Sequence, residues 1–342
     1  MAQRVSYGIL AIVFVVTLCM LDALIADQAV DLPSPIGELL QRGSVMPLTF
    51  LVIFVVGAVE LNHLFRLRSA RPYPAFACVM VGLLLISPWL ASAGLLGSSA
   101  AQVEGLYWQM IWMIVSIAGV GAVSVFRQNP DGALRDSAAT LMIISYVGFL
   151  GSFGLQIRCG HDMPHMSGVW LLCLVVLVTK ASDIGAYLVG STVGRHKLIP
   201  AVSPSKSVEG AIGGFVASAG TSVFLVLGCI HLFSPSQDNL GSMGEVFDLR
   251  SMGEKLGLQA TALSLRSSST GKTIIVAVIF GLLLSLVGQL GDLIESSFKR
   301  DACVKDSGKI IPRFGGILDL VDSPVLAMPT GWFFLTTVWG IG

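Results

Sequence analysis

The chain has 342 residues, of which 54% are hydrophobic and only 12% are charged, and its mean hydropathy is +0.80. Soluble domains carry about 25% charged residues, so this composition indicates an integral membrane protein. The formal net charge is zero. A neutral chain has no bulk attraction to nucleic acid, and we expect no nucleic-acid partner. The six cysteines lack the spacing of metal ligands and are typical of small buried hydrophobic residues or free thiols.

Nine apolar segments are long enough to cross a bilayer, which predicts an all-α, polytopic transmembrane helix bundle. The segments are 6–26, 46–65, 75–96, 106–126, 137–156, 168–190, 208–233, 273–294 and 323–342. The first segment could be a signal peptide, but its apolar run is long for that role, and we favour a retained anchor. We divide the chain into helices 1–5, residues 1–160, and a catalytic transmembrane region with helices 6–9, residues 161–342.

Lys and Arg residues are distributed unevenly between the two ends of these segments. If the N-terminus is cytoplasmic, the flanks on the cytoplasmic side hold most of the positive charges. The positive-inside rule therefore predicts a cytoplasmic N-terminus and an extracytoplasmic insertion at 234–272. The same rule places two polar loops, 195–209 and 299–322, on the cytoplasmic face, where nucleotides are available.

The first of two polar stretches, residues 179–214, runs from the sixth apolar segment into the loop that follows it. Lys180 and Asp183 lie three residues apart there, on one face of the predicted helix. They could form an ion pair that only holds helices together, or the polar wall of a site that opens to the cytoplasm. We favour the site, because charges inside a membrane are costly and usually functional. Further on, Lys206 and Ser207 precede a helix and could cradle a phosphate, although Ser207 could instead N-cap that helix.

The second polar stretch, residues 289–323, follows an apolar run. The polar residues that share one face of the predicted helix are Gln289, Asp292, Glu295, Ser296 and Lys299. Two more carboxylates, Asp319 and Asp322, follow the flexible pair Gly315–Gly316. Hard oxygen ligands suit Mg²⁺, and Mg²⁺ beside lysine and arginine suits a polyphosphate substrate.

These two stretches resemble the recurrent blocks of the phosphatidate cytidylyltransferases, also called CDP-diacylglycerol synthases. The first block, D-x-x-A-Y-x-x-G and S-P-x-K-[TS]-x-E-G, is matched by Asp183, Ala186, Tyr187, Gly190, Ser203, Pro204, Lys206, Ser207, Glu209 and Gly210. The second block, S-x-x-K-R, K-D-x-G and P-G-H-G-G-x-x-D-R-x-D, is matched by Ser296, Lys299, Arg300, Lys305, Asp306, Gly308, Pro312, Gly315, Gly316, Asp319 and Asp322. The second block departs at Arg313, Phe314 and Leu320, where the pattern has glycine, histidine and arginine.

The resemblance implies transfer of the cytidylyl group of CTP to phosphatidate in phospholipid biosynthesis, with Mg²⁺ as cofactor, at the cytoplasmic face of a bacterial inner membrane. The catalytic residues it implies are Asp292, Lys299, Arg300, Lys305, Asp306 and Asp319. The substrate-binding residues it implies are Asp183, Tyr187, Ser203, Lys206, Ser207, Glu209, Ser296, Gly315 and Gly316. The metal ligands it implies are Asp292, Asp319 and Asp322. CTP, phosphatidate and membrane lipids are the expected partners, and a homodimer is also considered.

Other classes of protein explain the sequence less well. A divergent or non-catalytic paralogue, acting as a lipid-binding or scaffold protein, would account for Phe314 and Leu320 but not for the retained acids. A CDP-alcohol phosphatidyltransferase would need a longer motif than the fragment Asp131–Arg135. A secondary transporter would show repeated, broken helices, and no internal repeat is evident.

Overall fold

The computed structural model describes residues 17–18, 21–22, 25, 36–41, 43–96, 101–127, 130–159, 165–233, 269–308 and 315–341. The helices in these ranges are α1 (Ile36–Gln41), α2 (Val45–Leu67), α3 (Pro74–Ser92), α4 (Ala101–Phe126), α5 (Ala133–Cys159), α6 (His165–Val193), α7 (Val208–Phe233), α8 (Thr270–Asp301) and α9 (Leu318–Thr337). Helix α5 includes one wider π-helical stretch, Ile144–Phe149. Two short strands, β1 (Lys197–Ile199) and β2 (Ser203–Ser207), lie between α6 and α7.

Seven of the described helices, α2 to α8, are long and apolar enough to cross a membrane. They confirm the predicted segments from 46–65 to 273–294, with boundaries that differ by a few residues. The predicted segment 6–26 lies mostly outside the described residues, as does the insertion at 234–272. Helix α9 covers most of the last predicted segment, but it is not among the seven, because Asp319 and Asp322 lower the hydropathy of its first turns.

Helices α6, α7, α8 and α9 pack closely against one another. Small residues permit this approach where α6 meets α7. A Cβ atom added at Gly185 would lie only 2.8 Å from the carbonyl oxygen of Gly213, so a larger side chain at this position would separate the helices. The outward faces of α4 and α7 instead expose Val125 and Phe224, as expected of surfaces that contact lipid.

Helix α9 connects two apolar clusters. The first includes Phe54 of α2, Leu84 of α3 and Val325 of α9. The second includes Leu284 of α8 and Leu335 of α9. The division of the chain at residue 160 stays a prediction, and α9 packs against helices from both sides of it.

The stretch between α6 and α7 forms an antiparallel hairpin, whereas the sequence predicted only a loop. Lys197 pairs with Ser207 and Ile199 pairs with Ser203. The hairpin leads directly into α7, since the N–H of Val208 donates to the carbonyl oxygen of His196 at 2.8 Å. Strands of three and five residues without an apolar alternation carry almost no sequence signal.

Candidate active site

The polar residues singled out in the sequence gather at one end of the bundle, where α8 ends and α7 and α9 begin. Lysines and carboxylates alternate there in a set that we call the acid–lysine network. Its members are Lys180, Asp183, Lys206, Asp292, Glu295, Lys299, Asp319 and Asp322. The network draws on α6, β2, α8 and α9, so elements that are far apart in sequence build one polar region.

Lys180 connects α6 to α9. Its Nζ lies 3.1 Å from Asp183 Oδ2 and 3.9 Å from Asp322 Oδ1. The hydroxyl of Ser323 donates to Asp183 Oδ1 at 3.2 Å, which adds a second link between the two helices. The predicted pair of Lys180 and Asp183 therefore forms, and it is part of the larger network because Asp322 joins it.

Lys206 connects the hairpin to α8. Its Nζ lies 2.7 Å from Asp292 Oδ2. The hydroxyl of Ser296, one turn further along α8, donates to Asp292 Oδ1 at 3.3 Å. These contacts bring the two sequence blocks together, since Lys206 belongs to the first block and Ser296 to the second.

Lys299 lies between two carboxylates, Glu295 one turn earlier on α8 and Asp319 on α9. Its Nζ is 2.6 Å from Asp319 Oδ1 and also contacts Glu295. Asp319 Oδ2 accepts hydrogen bonds from the N–H of Ser307 at 2.9 Å, from its hydroxyl at 2.9 Å, and from the N–H of Gly316 at 2.7 Å. Together with Lys299, these donors stabilise the charged form of the Asp319 carboxylate.

Glu60 on α2 takes part in the site, although the sequence analysis did not select it. Its Oε1 accepts from the N–H of Ile317 at 3.0 Å. Its Oε2 accepts from the N–H of Leu318 at 2.8 Å and from the hydroxyl of Ser307 at 3.2 Å. Glu60 thus satisfies N–H groups at the start of α9 and holds the loop that carries Asp319. A lone carboxylate in an apolar span was the available signal, because such a group needs partners.

The turn before α9 requires its two glycines. Gly315 has φ of +100°, in the region that side chains disfavour, and a Cβ there would lie 3.0 Å from the Cβ of Asp306. A Cβ on Gly316 would overlap both Ser307 and Glu60. The close approach of these groups is therefore possible only without a side chain.

Several predicted substrate-binding residues hold the hairpin in place. The hydroxyl of Ser207 accepts from the N–H of Gly210 at 3.1 Å, which is the N-cap interaction considered above. Glu209 accepts from the N–H of Arg195 at 3.0 Å and contacts the ring of His196 at 2.5 Å.

The other predicted residues differ in their exposure. Ser203 is buried, whereas Lys305 and Asp306 are exposed. Tyr187 is 54% exposed on α6. Arg300 donates to the carbonyl oxygen of Val202 at 3.2 Å and so links α8 to the hairpin turn.

The three departures from the family pattern fall in two places. Arg313 and Phe314 lie outside the described residues. Leu320 is 36% exposed on α9. An arginine at this position would therefore lie at the partly exposed surface of α9 and not in the core of the bundle.

The predicted metal ligands, Asp292, Asp319 and Asp322, all belong to the acid–lysine network. Within the described part of the chain, no three His, Cys, Asp or Glu side chains converge as a ready-made metal site. Asp292 and Asp322 nevertheless both belong to the acid–lysine network, Asp292 through Lys206 at 2.7 Å and Asp322 through Lys180 at 3.9 Å. Mg²⁺ is usually held by one or two carboxylates together with substrate phosphates, so such a pair fits a metal that arrives with a nucleotide. Asp319 fits less well, because its two oxygens already accept four hydrogen bonds, two of them from backbone N–H groups that cannot turn away as the side chains around Asp292 can.

Comparison with known proteins identifies the family of the chain. The Cytidylyltransferase family matches residues 37–338 of the chain. Three bacterial relatives, each named "Phosphatidate cytidylyltransferase", are similar to it. The protein of Mycobacterium leprae is 27% identical over 90% of this chain and 88% of its own length. That of Mycobacterium bovis is 27% identical over 85% and 81%, and that of Staphylococcus haemolyticus is 33% identical over 58% of each chain.

A bundle of long apolar helices with a partly buried acid–lysine network at one end defines an integral membrane protein. The extent of the match then decides the family. This chain belongs to the Cytidylyltransferase family.

Proposed function

We propose that this protein transfers the cytidylyl group of CTP to phosphatidate, giving CDP-diacylglycerol and pyrophosphate. Family membership supports an enzyme that uses CTP, and the name shared by the bacterial relatives supports phosphatidate as the acceptor. The observation that carries the proposal is the contact of 2.7 Å between Lys206 and Asp292. Together with the hydrogen bond from Ser296 to Asp292, this contact brings both sequence blocks into one polar site within a membrane protein, where a lipid and a nucleotide can meet.

The reaction depends on positioning of the two substrates more than on acid–base catalysis. An oxygen of the lipid phosphate attacks the α-phosphorus of CTP and forms a new P–O bond. The bond from that phosphorus to the oxygen that bridges to the β-phosphate breaks, and its electron pair leaves with pyrophosphate. Because the attacking phosphate is already an anion, no strong general base is needed.

The lysines of the network would neutralise the phosphates. Lys180, Lys206 and Lys299 each face a carboxylate oxygen at 3.1, 2.7 and 2.6 Å. A phosphate oxygen can take the place of that carboxylate oxygen with similar hydrogen-bond geometry. Arg300 and Lys305, exposed beyond these lysines, would meet the outer phosphates of the nucleotide.

The charge balance of the network favours a divalent cation. The five carboxylates of the network outnumber its three lysines, so the network alone would repel a triphosphate. We assign Asp292 and Asp322 as the principal Mg²⁺ ligands and expect Asp319 to join only if it releases one of its present donors. When bound, Mg²⁺ would supply charge stabilisation to the phosphoryl oxygens during the displacement.

The two substrates would approach from different sides. We assign the hairpin to the nucleotide, with Ser203 and Lys206 in contact and with Ser207 and Glu209 shaping the hairpin. Tyr187, which is more than half exposed on a span, we assign to the lipid. A lipid phosphate at the membrane boundary could then reach a nucleotide held at the end of the bundle.

The orientation that serves this reaction has nine spans, a cytoplasmic N-terminus and the site on the cytoplasmic side of the bacterial inner membrane. Segment 6–26 and α9 would add to the seven apolar helices. In support, Arg68 lies 3.6 Å from Asp301, so the arginine-rich turn after α2 and the end of α8 share one end of the bundle.

Cysteine labelling tests this orientation. The variants Lys206→Cys and Lys305→Cys should both be labelled from the cytoplasm. Labelling from opposite faces would contradict this orientation.

Turnover of radiolabelled CTP tests the function directly. Purified protein, phosphatidate and Mg²⁺ should convert label into a lipid-soluble product with release of pyrophosphate. Omission of phosphatidate or of Mg²⁺ should abolish the product. Absence of turnover in the wild type, with restoration by Phe314→His, would identify a decayed paralogue and refute the proposal.

Self-association as a homodimer is a separate prediction. Light scattering on the purified protein, corrected for bound detergent, measures the mass of the protein component. A homodimer would give a mass near twice 36.1 kDa. A single-chain mass across a tenfold range of protein concentration would contradict it.

A further inference from the structure

A second polar region lies beside the turn between α2 and α3 and the turn between α4 and α5. It is a cavity of about 1020 Å³, which we call the arginine cavity. Its four basic side chains are Arg66, Arg71, Arg127 and Arg135. The cavity occupies the same end of the bundle as the candidate active site, because Arg68, in the same turn as Arg66, reaches Asp301 at the end of α8. None of its lining residues belongs to the acid–lysine network.

The arginine cavity carries an excess of positive charge. Two carboxylates, Asp131 and Asp136, also line it, against the four arginines. Each guanidinium keeps its charge at any physiological pH. The lining therefore has two more positive than negative side chains, and a bound anion would balance them.

Asp136 organises these arginines. It is 6% exposed, and its Oδ1 accepts from the N–H of Arg71 at 2.7 Å. It also lies 3.6 Å from Arg127 and 3.7 Å from Arg135. Arg127 in addition covers the ring of Tyr73, with its guanidinium carbon 4.6 Å from the ring centre. One buried acid thus holds the backbone of Arg71 and the guanidinium groups of Arg127 and Arg135 around a common space.

Guanidinium groups favour phosphate oxygens, which they bind in pairs of parallel hydrogen bonds. Basic pockets between helices at a membrane boundary bind the head groups of anionic lipids. We propose that the arginine cavity binds the phosphate of an anionic phospholipid head group from the surrounding membrane. The ligand is a lipid other than the substrate in the active site, so its binding is separable from catalysis.

A simpler interpretation is that these arginines only orient the chain in the membrane. Orientation depends on the number of positive charges in a turn and needs neither a cavity nor a buried acid. Arg68 provides the comparison within the same turn. It carries the same charge as Arg66, but it does not line the cavity and pairs with Asp301 instead.

The experiment measures lipid retention by native mass spectrometry. Wild type, the double variant Arg66→Gln/Arg71→Gln and the matched control Arg68→Gln are each placed in nanodiscs of phosphatidylcholine with increasing phosphatidylglycerol. A juxtamembrane arginine strengthens binding to anionic lipid about fivefold. The double variant should therefore weaken phosphatidylglycerol retention by about 25-fold. Arg68→Gln should change it by less than about twofold, because Asp301 already neutralises the charge of Arg68.

Three results would overturn the proposal. Unchanged retention in the double variant would exclude the cavity as the site. An equal loss in Arg68→Gln would show that only surface charge matters. Displacement of the lipid by millimolar inorganic phosphate would point to a soluble phosphorylated ligand instead. If the double variant does not fold, Arg66→Gln alone, at an exposed position, carries the same test with an expected change of about fivefold.

Discussion

Lys206 Nζ lies 2.7 Å from Asp292 Oδ2, and this ion pair fixes the hairpin before α7 against the polar end of α8. Half-buried opposite charges at this distance hold two elements together as long as neither partner is replaced. A phosphate or a metal ion that enters the site must therefore compete with this pair. The pair links the hairpin to α8, and substrate binding would exchange this contact first.

Replacement of Asp292 should remove most of the activity. Asp292→Asn keeps the shape of the side chain but loses the charge that pairs with Lys206 and that we assign to Mg²⁺. We expect kcat to fall at least 100-fold, about 3 kcal/mol of transition-state stabilisation, with a higher Mg²⁺ requirement. The matched control is Asp301→Asn on the last turn of the same helix, where the carboxylate is 72% exposed. An equal loss of activity in the control would argue against a specific role for Asp292.

Asp319→Asn should also inactivate the protein, with a different signature. Asp319 accepts four hydrogen bonds from Lys299, Ser307 and Gly316, so an amide nitrogen at either position would face a donor. We expect a lower melting temperature together with loss of turnover, and a smaller change in Mg²⁺ requirement than for Asp292→Asn. Near wild-type turnover of both variants at saturating Mg²⁺ would refute the metal assignment.

The hydropathy of the chain was sufficient to predict the seven long apolar helices, because burial in lipid requires long apolar segments. The sequence analysis also selected Lys206 and Asp292, because their residue types and order suit phosphate chemistry, but it did not predict that the two would form a pair.

The partners of these residues could not be predicted in the same way. Glu60 has no motif around it, and its contacts with Ser307 and Leu318 depend on how α2 packs beside α9. The hairpin forms because Glu209 and the backbone hold it, not because its strands have a β pattern. Such contacts join residues distant in sequence, and no local periodicity reports them.

The Gly315–Gly316 turn offers a test of close packing. Gly316→Ala would place a methyl group against Ser307 and Glu60, so the loop that carries Asp319 would have to move. We expect turnover to fall at least tenfold, since small displacements of catalytic groups have large effects. Gly228→Ala on α7 is the control, because a Cβ there meets no atom within 4 Å and activity should be unchanged. Wild-type kinetics of Gly316→Ala would mean that the loop is free to shift.

Phe314→His should change substrate handling more than maximal turnover. Position 314 directly precedes the Gly315–Gly316 turn, and the family pattern has a histidine at this position. A histidine could donate a hydrogen bond to phosphate, whereas phenylalanine cannot. Arg313, one residue away, could supply a donor instead. CTP and phosphatidate saturation curves for both forms provide the measurement. We expect a change in KM for one substrate that exceeds the change in kcat. A larger change in kcat would place this position in the chemical step.

Glu60→Gln should lower turnover although Glu60 lies outside both sequence blocks. Its two oxygens accept three hydrogen bonds, from Ser307, Ile317 and Leu318. Glutamine replaces one acceptor by an NH₂ donor, which then faces an N–H or O–H donor and leaves it unsatisfied, at a cost of about 1–3 kcal/mol. The start of α9 should shift and carry Asp319 away from Lys299. We expect kcat to fall roughly tenfold or more, with little change in KM for CTP.

The effect of Glu60→Gln must be separated from a general loss of stability. Gln109→Leu serves as the control, since it removes a buried hydrogen bond of 2.9 Å between Gln109 and Ser152, on α4 and α5, outside the network. Both variants should lower the melting temperature, but only Glu60→Gln should lower kcat at a temperature where both are folded. If the two variants lose kcat in proportion to their loss of stability, Glu60 only stabilises the bundle. If only Glu60→Gln loses it, Glu60 positions Asp319 for the reaction.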